Sequence, residues 1–317
     1  MKIRYLLPAL IALSVVSLFV GVSDLTPMDL FTMSEKQAQI FFASRVPRLV
    51  SIVIAGMSMS IVGLIMQQLT RNKFVSPTTA GTDEAARLGV LVAILLFSGA
   101  STMAKILVAF AFALAGTYIF MKLLDRVKYK DAIFIPLVGL MFGSIIGSVT
   151  TFFAYKNDLI QNITAWMQGD FSLIIRGSYE LLYLSVPVLI VAYAYANRFT
   201  VAGMGESFAV NLGLNYKRVV NIGLAIVALV SAVVLLTVGM IPFLGLIIPN
   251  LVTMYRGDHL RNSLTSTALF GAVFLLACDI FGRLIIFPYE IPIGLTVGVI
   301  GSAIFLYMLL RRKNYGA

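Results

Sequence analysis

A bundle of ten transmembrane helices is what this sequence predicts, and three observations carry that expectation. The 317-residue chain is 60% apolar and only 12% charged, with a mean hydropathy of +0.96, whereas a soluble domain is about half apolar and about a quarter charged. Ten segments are apolar over roughly the length of a membrane span. A single cysteine, Cys278, and a single histidine, His259, leave no disulfide framework and too few ligands for a zinc or haem site. The same composition excludes disordered and collagen-like chains.

A spanning helix needs roughly 20 mostly apolar residues, because a lipid-exposed backbone must satisfy its hydrogen bonds within its own segment. Regular spans fall at 5–22, 49–69, 103–124, 132–155, 179–195, 219–238, 263–287 and 291–310, and less regular ones at 78–98 and 242–255. Lys2 and Arg4 ahead of an apolar run also fit a secretory signal, but with so many later spans a first helix is the better reading. Ten spans put both termini on one side of the membrane. With that side cytoplasmic, sixteen of the 24 Lys and Arg lie inside, seven lie outside, and Arg87 falls within a span. The positive-inside rule therefore places both termini in the cytoplasm. This asymmetry accounts for most of the net charge of +10, so no nucleic-acid partner is needed to explain it.

Residues 1–317 read as one transmembrane domain without a soluble module. The longest polar connections are 23–48 and 156–177 outside and 197–218 inside. The inner one carries a short amphipathic pattern punctuated by glycines, which two short helices joined by Gly213 satisfy. Such a knob is either a plain connection or a docking surface for a soluble partner.

Two spans are irregular. One opens with Pro77, Gly81, Asp83, Glu84 and Arg87, and the other is broken by Gly239, Pro242, Gly245 and Pro249. If helices 2–5 and 7–10 form two inverted halves, each irregular span is the second of its half, a pairing that points to a translocation path. Proline-kinked helix starts packed inside protein are the plainer reading. In the fifth span Gly139, Gly143 and Gly147 share one face, suited to close helix packing or to a smooth path wall. Gly294, Gly298 and Gly301 repeat the theme in the tenth. Intramembrane charges are few: Asp279 and Arg283 are one turn apart, and Asp83, Glu84 and Arg87 can pair near a helix start. No obvious carboxylate stands without a cation beside it, which disfavours a proton-coupled carrier. Phosphate-loop, zinc-protease and serine-hydrolase motifs are all absent from the sequence, so neither a catalytic nor a metal site is expected.

Taken together, the motifs resemble one family. Arg45-Val46-Pro47-Arg48, Gly63, Met66-Gln67-Gln68-Leu69-Thr70-Arg71-Asn72, Pro77 and Gly81 are similar to the signature of FecCD-type permeases. Those are the membrane subunits of ATP-binding-cassette importers for iron-siderophores, haem and cobalamin. Gly205-Glu206, Ala209 and Leu212-Gly213 resemble the family's cytoplasmic coupling loop, and Gly239 to Pro249 resembles its glycine- and proline-rich stretch. Asp258-His259, Asp279, Arg283 and Glu290-Ile291-Pro292-Ile293-Gly294 follow in the family's order.

The resemblance implies a multi-pass permease of the cytoplasmic membrane, without enzymatic activity of its own. Its expected partners are a second permease, identical or a paralogue, two cytoplasmic ATPase subunits that hold the ATP and magnesium, and an extracytoplasmic siderophore-binding protein. Arg45, Arg48 and Arg283 match the family's docking arginines, Arg283 having a second reading as the partner of Asp279. Gly205, Glu206, Ser207, Ala209, Leu212 and Gly213 match the loop that engages the ATPase. Met66, Gln67, Gly139, Gly143 and Gly147 are candidates for the translocation path or for helix packing. Pro242, Asn250 and Ala303 stand where the family usually has Gly, His and Pro. With Pro77-Thr78-Thr79-Ala80-Gly81-Thr82 they resemble the subgroup serving catecholate siderophores such as petrobactin and enterobactin. The alternative is an ion-coupled secondary transporter of a metal chelate or small metabolite.

Overall fold

The computed structural model describes residues 3–21, 26, 28, 33–97, 99, 101–127, 134–257 and 259–312, without the side chains of residues 102, 166, 311 and 312. Lys2, Lys128, Lys130 and Lys313, counted above as inner charges, and Asp258 of the resemblance lie outside the described residues. All regular structure among the described residues is helical, apart from an isolated bridge between Gln168 and Met240.

The chain runs through α1 (Ile3–Phe19), α2 (Glu35–Ile40), a π-turn (Phe41–Arg45) and α3 (Val46–Thr70), then α4 (Thr82–Leu96), α5 (Thr102–Arg126) and α6 (Phe134–Lys156). The short α7 (Ile160–Met167) precedes a 3₁₀ turn (Glu180–Leu184), α8 (Ser185–Ala194), α9 (Ala196–Gly203) and α10 (Glu206–Asn211). Last come α11 (Tyr216–Thr237), α12 (Leu244–Arg256), α13 (Leu260–Leu284) and α14 (Ile293–Arg312). Local chemistry sets many starts. Ser34 and Gln37 form a capping box at α2; Pro47 occupies the first turn of α3. Ser101 and Asn215 accept backbone N–H bonds at the starts of α5 and α11.

Among the described residues six helices are long and apolar enough to cross a bilayer: the continuous α2–α3 rod, α5, α6, α11, α13 and α14. The 3₁₀–α8 segment and α9 form a seventh candidate, bent by 61°. α1, α4 and α12 have 17, 15 and 13 residues. The last two rise only about 20 Å against a hydrocarbon core of about 30 Å. They are the two irregular spans, and coil precedes each. Irregular backbone survives at membrane depth only when protein covers it. Here Val75, Ser76 and Ala80 are fully buried, and the Thr79 hydroxyl accepts the Ser76 N–H at 2.8 Å. Before α12, the Val238 carbonyl accepts the Asp170 N–H at 2.9 Å.

A repeat that the residues scarcely show is plain in the packing. α3 packs on α12 and α13 as α11 packs on α4 and α5, and the pairs α4·α6 and α12·α14 correspond likewise. Both short helices open from a left-handed residue, Gly81 at φ 76° and Phe243 at φ 62°. The segment α3–α6 and the segment α11–α14 therefore share one arrangement. Their crossing is tight: a Cβ at Gly63 of α3 would run into the carbonyl of Gly245 in α12, and Gly56 lies against Gly271 and Ala272 of α13. Close backbone approach through small residues is how helices pack where lipid is as apolar as they are.

Candidate functional site

Three regions hold the residues singled out from the sequence. The first is a cleft of about 660 Å³ between α6 and the start of α4, lined by Thr78, Glu84, Arg87, Gly143, Ser144, Gly147 and others. The glycine face of α6 closes against α4 here. Gly139 meets the Thr79 carbonyl, Gly143 the Cα of Gly81, and Gly147 the carboxylate of Glu84. The three glycines thus form a packing seam, and its edge is the cleft wall. Beside it, Ser144 and Ser148 present exposed hydroxyls that bond back to the Leu140 and Ser144 carbonyls at 2.8 Å. The sequence reading did not single out Ser144, Ser148, Thr151 or Met240, and named Thr78 only within the motif that follows Pro77. Hydroxyls at i, i+4 and i+7 along the fifth span were the available signal.

Arg87 bonds Glu84 at 3.4 Å in this cleft. Asp83 points the other way, 3% exposed, into a contact with Ser231 of α11. This corrects the expectation that no buried carboxylate stands apart from a cation. Asp83 makes no ion pair among the described residues, because Arg87 one turn on lies on Glu84's side of the helix. Met66 and Gln67 are 0% and 5% exposed, and the Gln67 amide donates to the Leu246 carbonyl at 3.2 Å. Both belong to the α3–α12 packing and not to the cleft. Asn250 ties the same region together, donating to the Lys73 and Leu246 carbonyls at 2.6 and 2.8 Å.

The second region is the knob of α9 and α10. Phe199 and Ala202 are buried, and the Thr200 hydroxyl accepts the Leu260 N–H at 3.1 Å, fastening α9 to the start of α13. Of the loop residues picked from the sequence, Ala209 is fully buried and anchors α10, while Glu206, Ser207, Leu212 and Gly213 are exposed. Gly205 is buried against Arg71. Met204, Phe208 and Leu212 are 58%, 48% and 61% exposed and recur every four residues, an apolar ridge of which the motif comparison picked only Leu212.

The third region is an ion cluster where α3, α13 and α1 meet. Arg48 donates to Asp279 at 2.8 Å and to Glu290 at 2.6 Å. Arg283 pairs with Asp279 at 2.6 Å and donates to the Ser17 and Val20 carbonyls at 2.9 Å. Arg45 also donates to the Val20 carbonyl. The three arginines matched to the family's docking positions are all engaged within the protein, Arg45 and Arg283 being 9% and 3% exposed, and Arg283 pairs with Asp279 as its second reading had it. A charge this buried must be paired or hydrogen-bonded, and the two nearby acids and the open carbonyls at the end of α1 meet that need. Three cations against two anions leave the cluster one positive charge in surplus.

The fold and the cleft define a class: a multi-pass helical membrane protein of the transport kind. Residues 9–311 match the FecCD transport family, and the chain belongs to that family. It is 67% identical over 315 residues to the petrobactin import system permease protein YclN of Bacillus subtilis (strain 168), covering 99% of this chain and 100% of that one. It is 40% identical to the ferric-anguibactin transport system permease protein FatD of Vibrio anguillarum, over 96% of both chains. The petrobactin import system permease protein FatD of Bacillus anthracis is also 40% identical, over 96% of this chain and 89% of that one. A metal-chelate type ABC transporter solved in an inward-facing conformation superposes with a TM-score of 0.82 at 21% identity, over 97% of this chain and 98% of that one. That likeness is one of fold.

Proposed function

We propose that the chain is the membrane-spanning permease of an ATP-binding-cassette importer that carries an iron(III)-siderophore of the catecholate, petrobactin-like kind across the cytoplasmic membrane. The observation that carries this reading is the 67% identity to a petrobactin permease over the whole length of both chains. Ten crossings with both termini cytoplasmic fit the helix order if the short α4 and α12 count as spans with their preceding coils. The basic-residue asymmetry supports the same orientation.

A second permease, identical or a paralogue, sits in this reading against the exposed face of α6. The cleft then becomes the wall of a central path. Two ATPase subunits engage the α9–α10 knob through Gly205, Glu206, Ser207, Leu212 and Gly213, with Met204 and Phe208 added by the exposed ridge. ATP and magnesium belong to those subunits. The binding protein docks at the opposite end, where the surplus positive charge of the Arg45, Arg48 and Arg283 cluster favours an acidic surface and hastens encounter at low salt.

Radioiron uptake by an iron-starved deletion strain, with and without the gene restored, tests the reading when catecholate, hydroxamate and citrate chelates are presented separately. A defect confined to catecholates and cured by the gene is the expected result. A defect confined to hydroxamates or citrate removes the substrate class, and no defect with any chelate removes the importer reading. Glu206→Ala is expected to lower uptake several-fold with loss of substrate-stimulated ATP hydrolysis; full uptake with normal stimulation would deny Glu206 a coupling role.

A further inference from the structure

Arg87 stands at the boundary of two open spaces. One is the α6 cleft shared with Glu84, Gly147 and Ser148. The other is a pocket of about 400 Å³ formed with Lys105, Gln168, Asp170 and the backbone around Gly239. A guanidinium offers five N–H donors, and little here uses them. Its one ion pair, to Glu84, is long at 3.4 Å, where charge-assisted bonds usually close to about 2.7–2.9 Å. The buried Nε has no partner. Lys105 makes no ion pair among the described residues. Asp170 spends both carboxylate oxygens on Ser172, at 2.8 and 2.7 Å. The two spaces therefore share a cation with spare donors; one space adds a second cation, Lys105, and the Ser172-bonded carboxylate of Asp170, and the other adds the carboxylate of Glu84.

Ionisable side chains at membrane depth are costly and mark ligand paths, and a planar guanidinium suits paired oxyanions better than any other cation. We propose that Arg87 is a charge-reading contact of the translocation path, engaging the exposed anionic oxygens of an iron chelate as it passes between the two spaces. The inference rests on the importer reading above and narrows its substrate to chelates with negative charge at their periphery, as catecholate oxygens give a hard ferric ion. Glu84 keeps the contact weak enough for release: the chelate displaces a loose ion pair on arrival and the pair re-forms on departure, so binding stays shallow as conduction requires.

The test uses proteoliposomes holding the complete importer, this chain with its cognate ATPase and binding protein, supplied with radioiron as an anionic catecholate chelate. Iron moved per ATP hydrolysed is compared for the wild type, Arg87→Lys, Arg87→Gln and the double variant Glu84→Gln/Arg87→Gln. Arg87→Gln is expected to fall at least about tenfold, Arg87→Lys to lie between it and the wild type because the charge is kept and the planar fork is lost, and the double variant to stay as low as Arg87→Gln. Wild-type transport by Arg87→Gln overturns the proposal. So does recovery in the double variant, which would show that Arg87 serves only to neutralise Glu84. Wild-type vesicles that move no chelate at all overturn the importer reading instead, and this inference with it.

Discussion

The helices α3 and α6 look alike in a hydropathy scan and live in different surroundings. Both are apolar enough to span a bilayer, yet 72% of the most apolar stretch of the first is buried inside the protein and only 22% of that of the second. α3 carries small residues on several faces, Ser51, Ala55, Gly56, Ser58, Ser60 and Gly63, and helices α1, α9, α11, α12 and α13 close around it. α6 has one small-residue face, Gly139 to Gly147, and touches α4 through it. Its other faces show Leu137, Met141, Ile145, Ser148 and Phe152 to whatever lies outside. Apolar surface gives no preference for protein over lipid in a membrane, so the number of faces that admit close approach decides how much of a helix is buried. α3 is the scaffold, and α6 is the element free to meet a partner, lipid or cargo.

Substitutions that respect or violate this contrast should sort by region. The largest effect is expected at Asp279→Ala, which leaves the buried Arg283 without an acid and Arg48 with Glu290 alone, at a cost of about 3–5 kcal/mol. It should appear as a large drop in the thermal unfolding midpoint of the detergent-purified protein. Gly63→Val comes next: its side chain meets the backbone of Gly245, which cannot swing away, so about 1–3 kcal/mol is expected by the same measurement.

On α6, Gly139→Ala should cost about 1 kcal/mol or slightly more. Its Cβ would meet the Thr79 carbonyl in the buried, hydrogen-bonded segment before α4, and the change should show in chelate uptake as well as in melting. Gly147→Ala is expected within about 0.5 kcal/mol of wild type, because the atom it approaches is the mobile Glu84 carboxylate at 3.1 Å. An α6 variant that melts as badly as Asp279→Ala would break the contrast. A Gly147 variant that melts normally yet transports poorly would sharpen it.

Much of the candidate site could be read before folding. The broken spans at Pro77–Gly81 and Gly239–Pro249, the glycine face of α6, the knob between Gly205 and Gly213, and the pairing of Asp279 with Arg283 all depend on neighbours in sequence. Glycine, proline and one-turn charge spacing report such local relations directly. Arg48 was harder, because its acids lie 231 and 242 residues away and no local pattern foretells that meeting. For Met66 and Gln67 the sequence left both path and helix packing open for the same reason. Which face of a uniformly apolar helix turns inward depends on the helix that arrives there, here α12.

The sequence by itself determined that this chain is a membrane-embedded helical bundle, where its breaks lie and to which family it belongs, because hydropathy, helix-breaking residues and motif order are properties of the chain alone. Only the tertiary structure decided that Asp83 is buried against Ser231 while Arg87 faces two clefts, that Arg45, Arg48 and Arg283 gather around Asp279, Glu290 and the end of α1, and that α3 is enclosed while α6 stands open. Each of these is a matter of which side chain meets which across the bundle. In a membrane that choice is made by shape and by the need to satisfy every buried charge, neither of which is written in a residue's own hydrophobicity.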